Sequence, residues 1–242
     1  MRIAMWSGPR NLSTAMMYSF GARDDFVVWD EPFYGAYLAA TGANHPMRDE
    51  IIAAHEADPN KISERCEGEV SRDRPNLYMK HMCHHMIDGF DISWAMSCTN
   101  VFLIRHPARV VASYVSKREQ PTLGDIGVER QLEILELLFA RGCHPIVIDS
   151  SDIRRNPRRA LRSLCKAMKI KFDEAMLGWQ LGPKPYDGAW GPHWYGAVHN
   201  STGFAGPEGN LPELRGDQRS VAQLAMPYFD VLYAKRLGAP RR

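Results

Sequence analysis

Several features are missing from this sequence, and each absence removes a class of function. No stretch approaches the roughly 20 consecutive apolar residues needed to cross a bilayer. The short apolar start, Met1–Trp6, runs straight into Ser7-Gly8-Pro9-Arg10, which does not suit a signal peptide. No charge predominates: 30 Lys and Arg stand against 28 Asp and Glu, a net +2. That balance disfavours nucleic acid as a general partner. No cysteine pair is visible. Cys66, Cys83, Cys98, Cys143 and Cys165 are scattered, odd in number and form no CxxC, as expected of free thiols in a reducing compartment. Internal repeats and low-complexity tracts are also missing. The expectation is a cytoplasmic protein with no membrane or nucleic-acid partner.

What is present is a core and an alternation. Hydrophobic residues make up 45% of 242 residues, enough for one α/β domain spanning 1–242. Short apolar runs at Arg2–Trp6, Phe26–Trp29, Leu77–Met79, Asn100–Ile104 and Pro145–Ile148 suit strands buried on both faces of a parallel sheet. Helical patterns lie between them, at Ser13–Phe20, Arg109–Ser116, Val128–Arg141 and Asn156–Met168, with a last one at Asp217–Leu237. Strands alternating with helices predict a three-layer α/β fold, a central parallel sheet flanked by helices. Thr41–Asp73 is polar and reads as a helical insertion, with a helix start at Asp58-Pro59-Asn60. Leu181–Pro212 is dense in Gly, Pro, Trp and Tyr and reads as a loop that covers a site. The insertion and the last helix are the candidate places for an oligomer interface.

Two strand-to-helix junctions suit anion binding. The first is Gly8-Pro9-Arg10-Asn11-Leu12-Ser13-Thr14. A tight turn into a helix points backbone N–H groups one way, and the helix dipole adds partial positive charge. Arg10 adds a bidentate cation, and Ser13 and Thr14 add hydroxyls that also suit a helix cap. The standard phosphate-loop pattern GxxxxGK[ST] is not there. The second junction is Arg105-His106-Pro107, with Ser113 eight residues after Arg105, about two helical turns on. Arg105 falls at a strand's carboxyl end, where open α/β sheets bind ligands. Each junction has a plainer explanation, as a helix start or an ion pair.

Taken together, Pro9-Arg10-Asn11-Leu12-Ser13-Thr14 and the Arg105…Ser113 spacing within RHPARVVASY resemble the sulfotransferases that use 3′-phosphoadenosine-5′-phosphosulfate (PAPS) and release 3′,5′-bisphosphoadenosine (PAP). The resemblance implies a P-loop-type fold. It implies that Arg10, Ser13 and Thr14 with the loop backbone hold the 5′-phosphosulfate, and that Arg105 and Ser113 hold the 3′-phosphate. The chain departs from the family pattern at Asn11-Leu12, where Leu12 lacks the backbone freedom of glycine. WDEPFYGAYL and MKHMCHHM further resemble a little-characterised sulfotransferase-like group. The implied activity is sulfuryl transfer to a hydroxyl or amine of a small-molecule acceptor, with no metal.

Such chemistry needs a base for the acceptor proton and positive charge near the transferring group. Glu31, in Trp29-Asp30-Glu31-Pro32-Phe33, follows the second strand among apolar neighbours that would raise a carboxyl pKa. The alternative is that Asp30 or Glu31 caps a helix starting at Pro32. Tyr78-Met79-Lys80-His81-Met82-Cys83-His84-His85 offers Lys80 for the sulfuryl group and His81 or His84 as base. Lys80 and His81 share one direction only if the strand ends before them. A zinc site on His81 and His85, four apart, is the rival for this stretch. Lys184, Tyr186, Trp190, His193, Trp194, Tyr195, His199 and Phe204 supply aromatic cover for a lid. The alternatives in function are a nucleotide kinase or NTPase, with Asp30 or Asp149 on magnesium, and a nucleotide-binding protein without catalysis.

Overall fold

The computed structural model describes residues 1–115 and 121–238. In chain order the elements are β1 (Arg2–Ser7), α1 (Ser13–Gly21), β2 (Phe26–Asp30), α2 (Tyr34–Thr41), α3 (Arg48–Ala54), α4 (Pro59–Glu67), β3 (Asn76–Met82) and β4 (Thr99–Ile104). There follow α5 (Pro107–Val115), α6 (Leu123–Ile126), α7 (Val128–Ala140), β5 (Ile146–Asp149), α8 (Ser150–Arg155) and α9 (Pro157–Ala167). The chain closes with α10 (Gly191–Trp194), α11 (Gly196–His199) and α12 (Gly216–Ala234). Ser116, the expected end of the helix after β4, lies outside the described residues.

Among the described residues the strands form one five-stranded sheet in the order β2-β3-β1-β4-β5, with every pair parallel. The order reverses beside β1: the chain leaves it toward β3 and β2 on one side and continues through β4 and β5 on the other. That reversal opens a crevice at the carboxyl ends of β1 and β4, where an open α/β sheet takes ligands. The short apolar runs became strands because both faces are covered. Ala4, Trp6, Met79 and Phe102 pack on one face with residues of α5, α7 and α12. Ile3, Met5, Tyr78, Val101 and Leu103 pack on the other with residues of α1 and α9.

The third strand is longer than its apolar run. It continues through Lys80 and His81 to Met82, and the register pairs Met5 with Lys80 and Trp6 with His81. A lysine and a histidine end an apolar run on paper; here both are buried and paired in the ladder. The helix expected from Pro32 starts at Tyr34, with Phe33 at its N-cap and no side-chain cap, so neither Asp30 nor Glu31 caps it. The 41–73 stretch contains α3 and α4, and Asp58 caps α4 by accepting from the Asn60 N–H at 2.9 Å. No described helix is long and apolar enough to cross a membrane.

Candidate functional site

The loop between β1 and α1 is held in a strained shape. Arg10 (φ 63°) and Leu12 (φ 77°) both lie in the left-handed region, at a cost of about 1–3 kcal/mol each for residues with side chains. Leu12 takes there the conformation that glycine would take freely. It also forms the N-cap, without a side-chain cap bond, so Ser13 and Thr14 do not cap the helix as expected. Such conformations turn successive N–H groups into a concave anion cradle. Two hydrogen bonds tie the loop to its surroundings, and two more from Gln131 join the strands behind it. Asn11 Nδ2 donates to the Leu103 carbonyl at 3.1 Å, Gln131 Nε2 bridges the Leu103 and Trp6 carbonyls, and Arg105 Nη1 donates to the Arg10 carbonyl at 2.7 Å. Gly8 is required by packing: a Cβ there would sit 2.3 Å from the Ile126 carbonyl oxygen.

A cavity of about 280 Å³ opens at this loop. Pro9, Arg10, Leu12, Ser13 and Thr14 line it, whereas Gly8 and Asn11 stand behind as supports. Arg105 and Ser113 line the same cavity, and Arg10 Nε donates to Ser113 Oγ at 3.1 Å. The two junctions, about a hundred residues apart in sequence, thus share one wall. Burial first, and then the nearby Arg105, push the Arg10 guanidinium below its usual pKa, since both disfavour its charge.

The opposite wall carries Glu31, Lys80, His84 and His85. Glu31 directly follows β2 with φ 38°, a third strained residue at the sheet's carboxyl edge. Lys80 Nζ donates to Asp30 Oδ1 at 3.0 Å, to Glu31 Oε1 at 2.5 Å and to the Tyr195 hydroxyl at 2.5 Å. An ammonium has three donors, so all are in use. Lys80 therefore holds the two carboxylates, and the expected contact to a sulfuryl group would require breaking one of these bonds. Burial lowers the Lys80 pKa, but Asp30 and Glu31 outweigh it and raise it. For Glu31 burial dominates: it raises the carboxyl, and Lys80 only partly counters it. The other Glu31 oxygen, Oε2, lies 3.8 Å from His85 Nδ1. Asp30 is occupied elsewhere, accepting from the Tyr195 hydroxyl and the Gly188 N–H.

The histidines separate. Because the strand continues through position 81, His81 faces away from Lys80, stacked on Trp6 (4.6 Å) and beside Trp94 (4.9 Å). It does not line the cavity, and burial drives its pKa down to about 3. A base role for His81 is thereby set aside. His84 does line the cavity, but burial, aided by His45, pushes it down to about 4. His85 was not picked out as a base, yet it is the histidine beside Glu31, stacked on Tyr34 at 4.4 Å. The zinc spacing fails because His81 is in a strand and His85 in a one-turn 3-10 helix, Cys83–His85. Asp149, the other carboxylate weighed for magnesium, caps α8 through the Ser151 N–H at 2.7 Å and is not a cavity residue.

The aromatic stretch forms a wall. Trp194, Tyr195 and Val198, from α10 and α11 and the residue between them, line the cavity, and Trp190 Nε1 donates to the Tyr195 hydroxyl at 2.6 Å. Tyr195, expected only as aromatic cover, proves to be a partner of Lys80. The aromatic density marked the segment, but nothing local pointed to a lysine 115 residues away.

A parallel sheet with a strained, cation-bearing loop at its switch point defines an α/β protein with a cation-lined cavity at the carboxyl edge of its sheet. The family follows from comparison. The family model for the Sulfotransferase domain matches residues 1–236, and the chain belongs to that family. Among curated proteins it is 34% identical over 231 residues to Branched-chain-amino-acid aminotransferase-like protein 1 of Arabidopsis thaliana, and 35% identical over 230 residues to protein 2 of that name. Each match covers 95% of this chain and 41% of the relative, so the chain spans about two fifths of their length. Among solved structures, the Crystal Structure of Sulfotransferase from Alicyclobacillus acidocaldarius aligns over 97% of this chain and 96% of that one, at TM-score 0.56 and 10% identity. The Sulfotransferase Domain from the Curacin Biosynthetic Pathway aligns over 93% and 96%, at TM-score 0.51 and 13% identity. At these identities the likeness is one of fold.

Proposed function

We propose that this protein transfers a sulfuryl group from PAPS to a hydroxyl or amine of a small-molecule acceptor. One observation carries the reading: the phosphate-type loop, the Arg105–Ser113 pair and the raised carboxyl of Glu31 line a single cavity. In this reading the N–H cradle with Arg10, Ser13 and Thr14 holds the 5′-phosphosulfate. Arg105 and Ser113 hold the 3′-phosphate. PAPS supplies the activated sulfuryl group, and every other task falls to the chain.

Glu31 acts as the base. Its Oε1 is pinned by Lys80 at 2.5 Å, which leaves Oε2 to take the acceptor's proton. A raised pKa makes the carboxylate a stronger base at neutral pH than a solvated one. Arg10 and the loop N–H groups support the charge on the transferring group and the leaving phosphate. The aromatic wall at Trp194 and Tyr195 excludes water, which would compete as acceptor. No step needs a metal.

Two other readings fit less well. A kinase needs GK[ST] and a carboxylate for magnesium; the first is missing and Asp30 and Asp149 are engaged as described. The relatives' name raises aminotransferase chemistry, which needs a lysine that gives up its proton easily. Lys80 is held in the charged form by two carboxylates. Calorimetric titration with PAP, with ADP and with ATP plus magnesium tests the proposal. Binding of PAP that weakens when the 3′-phosphate is removed is expected. Preference for ATP with magnesium would overturn it in favour of the kinase reading.

A further inference from the structure

Glu208 is out of character with its surroundings. Ala205, Gly206, Pro207, Gly209 and Asn210 are exposed, yet the Glu208 side chain is only 5% exposed. It reaches back to the sheet edge and meets three arginines from three elements. Oε1 accepts from Arg105 Nη2, from Arg105 Nε at 3.1 Å and from Arg154 Nη1 at 2.8 Å. Oε2 lies 3.4 Å from Arg109 Nε and 3.5 Å from Ser151 Oγ. Arg105 follows β4, Arg109 is on α5, and Arg154 and Ser151 are on α8. The same arginines hold the neighbouring backbone, Arg154 through the Gly206 carbonyl and Arg109 through the Gly209 carbonyl.

We propose that Arg105, Arg109 and Arg154 together form the subsite for the donor's 3′-phosphate, and that Glu208 is its internal stand-in, displaced when the nucleotide binds. This rests on the reading of Arg105 as a 3′-phosphate ligand and extends it to two arginines outside the family-like motif.

The argument is one of charge and shape. Three guanidiniums around one carboxylate leave an excess of two positive charges. A carboxylate offers one charge and two oxygens, whereas a phosphate monoester offers nearly two charges and three oxygens. Forked guanidiniums bind the latter better. Arg105 joins this cluster to the donor cavity, since it both lines that cavity and bonds to the Arg10 carbonyl of the loop after β1, while Arg109 and Arg154 reach the cluster through Glu208. The segment bearing Glu208 is suited to leave. Its neighbours are exposed, and a Cβ at Gly206 or Gly209 would meet nothing within 4 Å, so little besides these ion pairs and carbonyl bonds ties it down.

The test compares PAP with adenosine 5′-monophosphate, which lacks the 3′-phosphate, by calorimetry on the wild type, Glu208→Gln and Arg154→Gln. The expected result is opposite shifts for PAP alone. Removing the internal competitor tightens PAP by about tenfold or more, and removing one guanidinium weakens it by about tenfold. The monophosphate should stay within about twofold in both variants. Inorganic phosphate is the control ligand, and Glu208→Gln should gain affinity for it. If Glu208→Gln binds neither PAP nor phosphate more tightly, the carboxylate is a structural strap and the inference is overturned. Weakening by Arg154→Gln of both nucleotides alike would overturn the assignment of Arg154 even if Glu208→Gln folds poorly. A gain for phosphate alone, with no PAP binding in any form of the protein, would keep the anion subsite and sink the PAPS reading instead.

Discussion

The two charged clusters that border the cavity, one through Glu31 and Lys80 and the other through Arg105, handle charge in opposite ways. At the β2–β3 end, Asp30, Glu31 and Lys80 are almost wholly buried, and every donor of the lysine has a protein acceptor. At the β1–β4 end, Arg105, Arg109 and Arg154 keep 16–21% of their side-chain surface exposed, and their carboxylate partner sits on an exposed segment. The first arrangement is fixed on folding and poises one carboxylate oxygen. The second can exchange its anion. A transfer site needs both: a base whose position and pKa do not drift, and a charged pocket that fills and empties each turnover.

The largest expected effect lies at the buried end. Glu31→Gln should lower sulfuryl transfer by about 100- to 10,000-fold while leaving the PAP dissociation constant within about twofold, as transfer assays and calorimetry would read. Loss of PAP binding in parallel would merge the two ends and break the comparison. Next comes Lys80→Met, which strips two buried carboxylates of their cation. A cost of about 3–5 kcal/mol in denaturant unfolding at neutral pH is expected, and part of it should return in mild acid as a carboxyl protonates. A loss under 1 kcal/mol, as for a surface pair, would mean the cluster is open to water.

Arg105→Ala tests the exchangeable end. PAP should weaken by about 10- to 100-fold, in line with about 1.5–3 kcal/mol for a charged hydrogen bond, and adenosine-5′-phosphosulfate much less. Equal losses would take the 3′-phosphate away from Arg105. The rate should also carry an acid limb set by Glu31. Its pKa is raised, so turnover should begin to fall at a higher pH than the ordinary carboxylate value of about 4.3. Glu31→Asp, whose shorter arm changes its reach, should alter that limb if the assignment holds.

The smallest effect is expected at His81. His81→Phe keeps the ring stack on Trp6 and should leave turnover within about twofold, where a base would lose far more. Its stability effect has a definite sign. Between the ordinary histidine value near 6.5 and about 3, the unfolded chain binds a proton that the folded one refuses. Native stability therefore falls as pH drops through that window, and His81→Phe should flatten this fall in acid unfolding curves.

Much of the fold was legible because strand and helix patterning is local. The apolar runs and the helical spacings located all five strands, and the order of elements implied a parallel sheet. The third strand was underestimated at Lys80 and His81 because burial of a polar residue depends on partners that the local pattern does not show. That one boundary took His81 out of the cavity, since continuing the strand sends it to the far face. At the phosphate loop the sequence suggested Leu12 as an obstacle. Leu12 nevertheless takes the left-handed conformation, and tertiary bonds from the neighbouring Asn11 side chain and to the Arg10 carbonyl anchor the loop just before it.

By itself, the sequence determined the layered parallel-sheet architecture and the two arginine-bearing strand-to-helix junctions, with a carboxylate pair at the second strand's end. These rest on periodicity and on turn chemistry, which act over a few residues. Only the tertiary structure decided which groups meet. It set Tyr195 on Lys80, turned Glu31 Oε2 toward His85, and brought Glu208 into the arginines of β4's end, α5 and α8. Those contacts join residues 50 to more than 100 positions apart. Their pKa shifts and charge balance come from burial and proximity, which exist only once the chain has folded.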